Sequence, residues 1–246
     1  VRNGYCRLVG PHVEPLPSSP SPPLRFTPQA RRERLIAAIA RVVAEEGYSA
    51  ASVSKVVASA GVSRNTFYEH FANKEECFLA AYDATVEQVM TRVRAATLPT
   101  SSRRAALEAG FAAFLGFAAA EPELAWLCVV EVLAAGPRAL ARRDEAMRRF
   151  ALFLEESRAE DDRPEVPRLM TEVIVGGIYE VIYGRILSRQ TATLPQLVPD
   201  VLYVWLAPFV GVRRAAAARA EATARIAPVG GPLLAIADDL RPMGRT

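Results

Sequence analysis

Apolar residues in this chain recur at spacings of three and four, and strand-like alternation is nearly absent, so the pattern predicts an all-α protein. Leu35, Ile36, Ile39, Val42 and Val43 form one stripe and predict a first helix over about 28–46. Val53, Val56 and Val57 give a short second helix one apolar face, and Phe67 and Phe71, four apart, anchor a third. A long helix follows over about 74–96, with Phe78, Tyr82, Val86, Val89 and Val93 inward. Residues 98–102 are a break with a capping signal. Next come a helix holding Leu107, Phe111, Phe114, Leu115 and Ala118, and one opened by Pro122 that runs through Trp126, Val129, Val130 and Leu133 to Gly136. Pro137 restarts the chain ahead of Met147, Phe150 and Phe153. After a loop at 163–167, a strongly apolar helix covers about 168–189 and a last one about 199–218.

The join between the second and third helices carries the most chemistry. Gly61 supplies a left-handed residue without a Cβ penalty, Val62 anchors the turn, and Ser63 can cap the next helix through its hydroxyl. Arg64, Asn65, Thr66, Tyr68 and Glu69 then face outward, with His70 at the edge. Arg64 can fork to guanine O6 and N7, and Asn65 can pair with adenine N6 and N7. Ser63, Thr66, Tyr68 and His70 can donate to phosphate oxygens, as can Ser52 at the start of the second helix. Lys74 opens the following helix, where its charge and the helix N-terminus both suit phosphate. A surface helical hairpin has the same turn, but not this density of basic, small polar and aromatic groups on one short face.

Residues 31–78 resemble the N-terminal domain of the TetR family of transcriptional regulators. The resemblance rests on RLIAAIARVVAEEGYSAASV and AGVSRNTFYEHFANKEECF, in order and at the family's spacing. Asn65 departs from it, since the family most often has glycine or another small residue there. The resemblance implies a three-helix helix-turn-helix domain followed by a larger helical domain that encloses a small-molecule pocket. It also implies dimerisation through a four-helix bundle.

Charge refines this picture. Net charge is only +3 over 246 residues, which excludes a histone-like polycation. Arg25, Arg31, Arg32, Arg34 and Arg41 against Glu33 alone make the approach to the reading helix locally basic, with Arg31 the candidate contact. The alternative is a solvated helix face. Cys6, Cys77 and Cys128 are scattered and form no metal-binding pattern; Cys77 and Cys128 sit in apolar context as thiols of a reduced cytoplasm. Residues 1–26, rich in proline, read as an extended or disordered tail without a targeting signal, and 227–246 as a second tail. The expected units between them are a DNA-binding domain over 27–73 and a ligand-binding and dimerisation domain over 74–226.

The larger unit shows no catalytic constellation. His12 and His70 are the two histidines, and neither has an acid partner for triad or metal work. The expectation is no enzyme, no cofactor and no metal. Phe111, Phe114, Trp126, Phe150 and Tyr179 either line a cavity between helices or fill a core. Glu131 and Glu180 lie amid apolar neighbours, so each pairs within the protein or awaits a polar or cationic ligand group. Gly176, Gly177 and Tyr183 on one helix, and Leu202, Trp205 and Phe209 on the last, are the candidate dimer contacts, with burial inside the chain as the alternative.

The function these readings predict is a homodimeric repressor in the cytoplasm, without membrane attachment. It grips a near-palindromic operator of double-stranded DNA and is released by a small, mainly apolar effector. Two rivals remain on residues alone. One is an activator, or a regulator answering a protein signal, with the same fold; the other is a helical carrier or enzyme whose hairpin does not bind DNA.

Overall fold

A computed structural model describes residues 27–100, 102–156, 166–167 and 169–226, and no strand occurs among them. The two tails and most of the expected loop at 163–167 lie outside the described residues. The helices are α1 (Pro28–Glu46), α2 (Val53–Ala60), α3 (Arg64–His70), α4 (Lys74–Thr97), α5 (Arg103–Ala120), α6 (Pro122–Val129), α7 (Pro137–Glu156), α8 (Leu169–Leu187), α9 (Val198–Val210) and α10 (Val212–Arg225). Short 3-10 helices at Glu131–Leu133 and Thr191–Leu197 follow α6 and α8.

Local chemistry sets the helix starts in the first half. The side chains of Thr27, Ser52, Ser63, Asn73 and Ser102 each accept a backbone N–H three residues ahead, satisfying donors that a helix start leaves unpaired. Glu76 reaches back to the Ala72 N–H at 3.1 Å and tightens the entry to α4. Gly61 has φ 63°, a left-handed conformation that favours glycine, so the turn between α2 and α3 is set by the backbone there.

Three apolar clusters fill the described residues, the smallest being Val89, Val93 and Phe117 between α4 and α5. The first joins α1, α2 and α3 to the opening half of α4, through Cys77, Phe78 and Tyr82, and reaches Leu127 and Val132 of the α6 region. Packing thus continues across position 73/74. The second unites α5, α8, α9 and α10 around Leu115, Ile186, Leu202, Trp205 and Phe209. α10 packs back along α9 through Ala215, Ala218 and Ala222, and Arg219 meets Asp200 at 2.6 Å. The sequence pattern read α9 and α10 as one helix. Gly211, at φ 88°, separates them, and the small alanine face of α10 permits the close return.

By length and composition Thr191–Val210 is apolar enough to cross a membrane, with half of that stretch buried inside the protein. Leu202 and Trp205 within it belong to the second cluster.

Candidate DNA-reading face and inner cavity

α3 is built as a wedge. Phe67 is fully buried, and Phe71 beside it lies 5.8 Å away, centroid to centroid. The opposite side presents Ser63, Arg64, Asn65, Tyr68 and Glu69 to solvent, with Thr66 half-buried. Tyr68 is 51% exposed, although its ring edge contacts Phe67. The Ser63 hydroxyl accepts the Thr66 N–H at 3.0 Å and lies 2.9 Å from the Thr66 hydroxyl. Ser52 caps α2 in the same manner, accepting the Lys55 N–H at 3.4 Å. Half-buried Arg31 approaches this face from α1, 4.0 Å from the Glu69 carboxylate.

Two expected phosphate contacts are placed differently. Lys74 turns inward: its ammonium donates to the Tyr48 and Ala51 carbonyls at 2.7 and 3.0 Å and sits 4.1 Å from the Tyr48 ring centroid. Burial lowers its pKa. The connection between α1 and α2 leaves these two carbonyls to be paired, and an ammonium has donors enough for both. His70 is half-buried, and its Nε2 is shut off from solvent with no partner among the described residues.

Behind this head, α4, α5, α6, α7 and α8 enclose a cavity of about 130 Å³. Phe111, Phe114, Phe150 and Tyr179 line it, as expected for four of the six candidates. Trp126 and Glu131 do not. Glu131 accepts the Trp126 indole N–H at 2.9 Å and the backbone N–H of Tyr48 at 2.7 Å, so its carboxylate is satisfied inside the protein rather than by an arginine or a ligand. The opposite face of Trp126 carries the Arg189 guanidinium, 3.7 Å from the ring centroid. Glu180 is exposed. The cavity also takes Tyr82, Thr85 and Cys128 and one charged residue, Arg143, none of which the sequence reading assigned to it. Their signal was periodicity: Arg143, Met147, Phe150 and Leu154 share one inward stripe of α7.

The candidate dimer residues separate into two groups. Leu202, Trp205 and Phe209 are buried within the chain, with Trp205 only 1% exposed, and so cannot meet a partner. Their apolar surface is consumed by α5, α8 and α10. Gly176, Gly177 and the half-buried Tyr183 behave otherwise. A Cβ on either of these glycines, or on Gly184, would meet nothing within 4 Å. Exposed Leu169, Val173, Val181 and Leu187 share α8 with them, and Val204 and Val212 are exposed on α9 and α10.

The architecture is an exposed helix-turn-helix packed on a hollow helical body. Residues 35–81 match the model of the bacterial regulatory proteins of the tetR family. It is 34% identical over 93 residues to the HTH-type transcriptional activator FasR of Mycolicibacterium smegmatis, a match covering 38% of this chain and 42% of that protein. The match thus spans less than half the length of this relative. The structure of the fatty acid degradation regulator FadR from Bacillus halodurans superposes with a TM-score of 0.66 at 23% identity, covering 72% of this chain and 94% of that one. FadR from Bacillus subtilis, in complex with stearoyl-CoA, gives 0.65 at 22%, covering 72% and 98%. At these identities the likeness is one of fold.

Proposed function

We propose that the chain is a DNA-binding transcriptional regulator that works as a homodimer and changes its operator affinity when an apolar ligand fills the inner cavity. The observation that carries this reading is the outward face of α3, where Arg64, Asn65 and Tyr68 stand exposed on a helix whose other side is locked by buried Phe67. Arg64 and Asn65 read base edges; Ser52, Ser63, Thr66, Tyr68 and Arg31 hold phosphate. Two copies joined through the exposed α8 face place two reading helices roughly 34–36 Å apart, in successive major grooves. The setting is the cytoplasm, where the DNA is.

Repression is the simpler mode, because a bound dimer occludes a promoter and ligand-driven movement of α4 releases it. Activation is a second reading, favoured by the name of the mycobacterial relative. Selection of bound DNA from a random pool tests the first claim: the full-length protein is expected to enrich a near-palindrome, and recovery of no common sequence overturns it. The position of that operator relative to the promoter separates the two modes.

A further inference from the structure

The cavity wall is apolar almost throughout, and its polar groups gather at one end. Tyr82, Cys128, Arg143 and Tyr179 lie on the lining as mutual electrostatic neighbours, and Thr85 adjoins Cys128. The two hydroxyls with assigned bonds have already given their protons to the protein. Thr85 Oγ1 donates to the Ala81 carbonyl at 2.8 Å, and Tyr179 Oη to the Val129 carbonyl at 2.9 Å. What those groups still offer is lone pairs.

Arg143 is different. Its guanidinium lies 4.6 Å from the centroid of the Tyr179 ring, and one terminal nitrogen is 3.1 Å from Asp144 Oδ1. Its Nε is buried and meets no acceptor. Asp144 is about half exposed, and an ion pair so placed is weak. No carboxylate lies on the lining among the described residues, which leaves Arg143 as the charge the cavity presents. The guanidinium also bonds the Tyr179 side chain, which holds the charge at the lining, and a buried Nε–H without an acceptor among the described residues is costly to keep there.

We infer that Arg143 anchors the head group of the effector, and that the effector is an apolar chain whose end carries a carboxyl oxygen. Free carboxylate and carboxyl thioester share this chemistry. A carboxylate accepts two parallel N–H bonds from the guanidinium fork, while a thioester carbonyl accepts one. The flexible arginine stem lets the fork swing onto an oxygen at the cavity end. A cationic ligand does not fit, because Arg143 repels it and no carboxylate on the wall receives it. This assignment rests on the proposed ligand response and gives that ligand its chemical class.

Binding of straight-chain acids, their coenzyme A thioesters and the matching primary alcohols, from decyl to octadecyl, tests it by equilibrium dialysis against the full-length protein. The acid or the thioester is expected to bind at least about tenfold more tightly than the alcohol of the same length. The tighter of the two identifies the source. Arg143→Met is expected to erase that advantage by lowering acid or thioester affinity to about that of the alcohol, and Arg143→Lys, which keeps the charge but not the fork, to restore part of it. Equal affinity of acid, thioester and alcohol in the parent protein overturns the head-group role, as does an Arg143→Met variant that loses all three alike. If the variant fails to fold by circular dichroism, the parent comparison decides alone. Absence of binding by every series overturns the underlying reading of an apolar ligand, a result distinct from equal binding.

Discussion

The carboxylate of Glu131 accepts the backbone N–H of Tyr48 at 2.7 Å, joining the 3-10 turn after α6 to the connection between α1 and α2. The same carboxylate takes the Trp126 indole, whose face carries Arg189 at the end of α8. Tyr48 in turn is held by Lys74 at the start of α4. Leu124, Ala125, Cys128 and Val129 of α6 line the cavity, so a ligand that displaces α6 is expected to pull on the α1–α2 connection through Glu131.

Replacing Glu131 by alanine is expected to leave the Tyr48 N–H without its acceptor and to lower stability in urea by roughly 1–3 kcal/mol. It is also expected to shrink the ratio of operator affinities with and without ligand, which for an intact switch is about 5- to 150-fold. Operator titrations in both states check this; an unchanged ratio means that coupling runs elsewhere.

Arg64→Ala is expected to weaken specific DNA binding by roughly 1–3 kcal/mol and to relax preference at one base step, with little effect on stability. Arg64 is exposed and caps nothing. Titration against the selected operator and its single-base variants reads both effects. A variant that discriminates like its parent removes Arg64 from the readout.

Gly177→Leu is expected to leave the protomer folded and to abolish the dimer. The space around a Cβ at Gly177 is open within the chain, whereas close approach of a second α8 needs that space empty. Trp205→Ala is expected to behave in the opposite way, costing about 3–5 kcal/mol of stability because the side chain is enclosed by its own chain. Sedimentation velocity and thermal melting separate the two. A Gly177→Leu dimer as tight as the parent's places the interface elsewhere.

Burial pushes the thiols of Cys77 and Cys128 up to about 12. Both acids therefore ionise less readily folded than unfolded, so their contribution to stability is complete below about pH 9 and is lost as pH rises towards the folded value. Each thiol steepens that loss by about 1.4 kcal/mol per pH unit within the window. Urea midpoints from pH 8 to 10 are expected to fall, and less so in a Cys77→Ala, Cys128→Ala double variant. At pH 8 iodoacetamide is expected to spare Cys77 until the protein is unfolded, as read by mass spectrometry of its peptide; rapid labelling at Cys77 in the folded protein contradicts its burial.

The reading helix was legible because its signals are local. Gly61 terminates α2, Ser63 caps α3, and Phe67 and Phe71 lie one turn apart, so a handful of neighbouring residues decides which face points out. The inward turn of Lys74 was not legible because the carbonyls it satisfies belong to Tyr48 and Ala51, more than twenty positions earlier. Trp205 and Gly177 show the same limit from opposite sides. Both belong to apolar helices, and periodicity marks such helices as buried without saying by what.

By itself, then, the sequence determined an all-helical chain and the turn and outward residues of its helix-turn-helix, and it marked inward aromatic positions without deciding between a cavity and a filled core. Each follows from backbone propensity and spacing within one or two helical turns. Tertiary structure alone decided that Glu131 ties to Tyr48 and Trp126 instead of facing a ligand. It decided that Arg143 stands in the cavity wall, and that α8 keeps an open glycine face while α9 is consumed by α5, α8 and α10. These outcomes depend on which helix faces meet, a property of packing between distant segments that no local pattern contains.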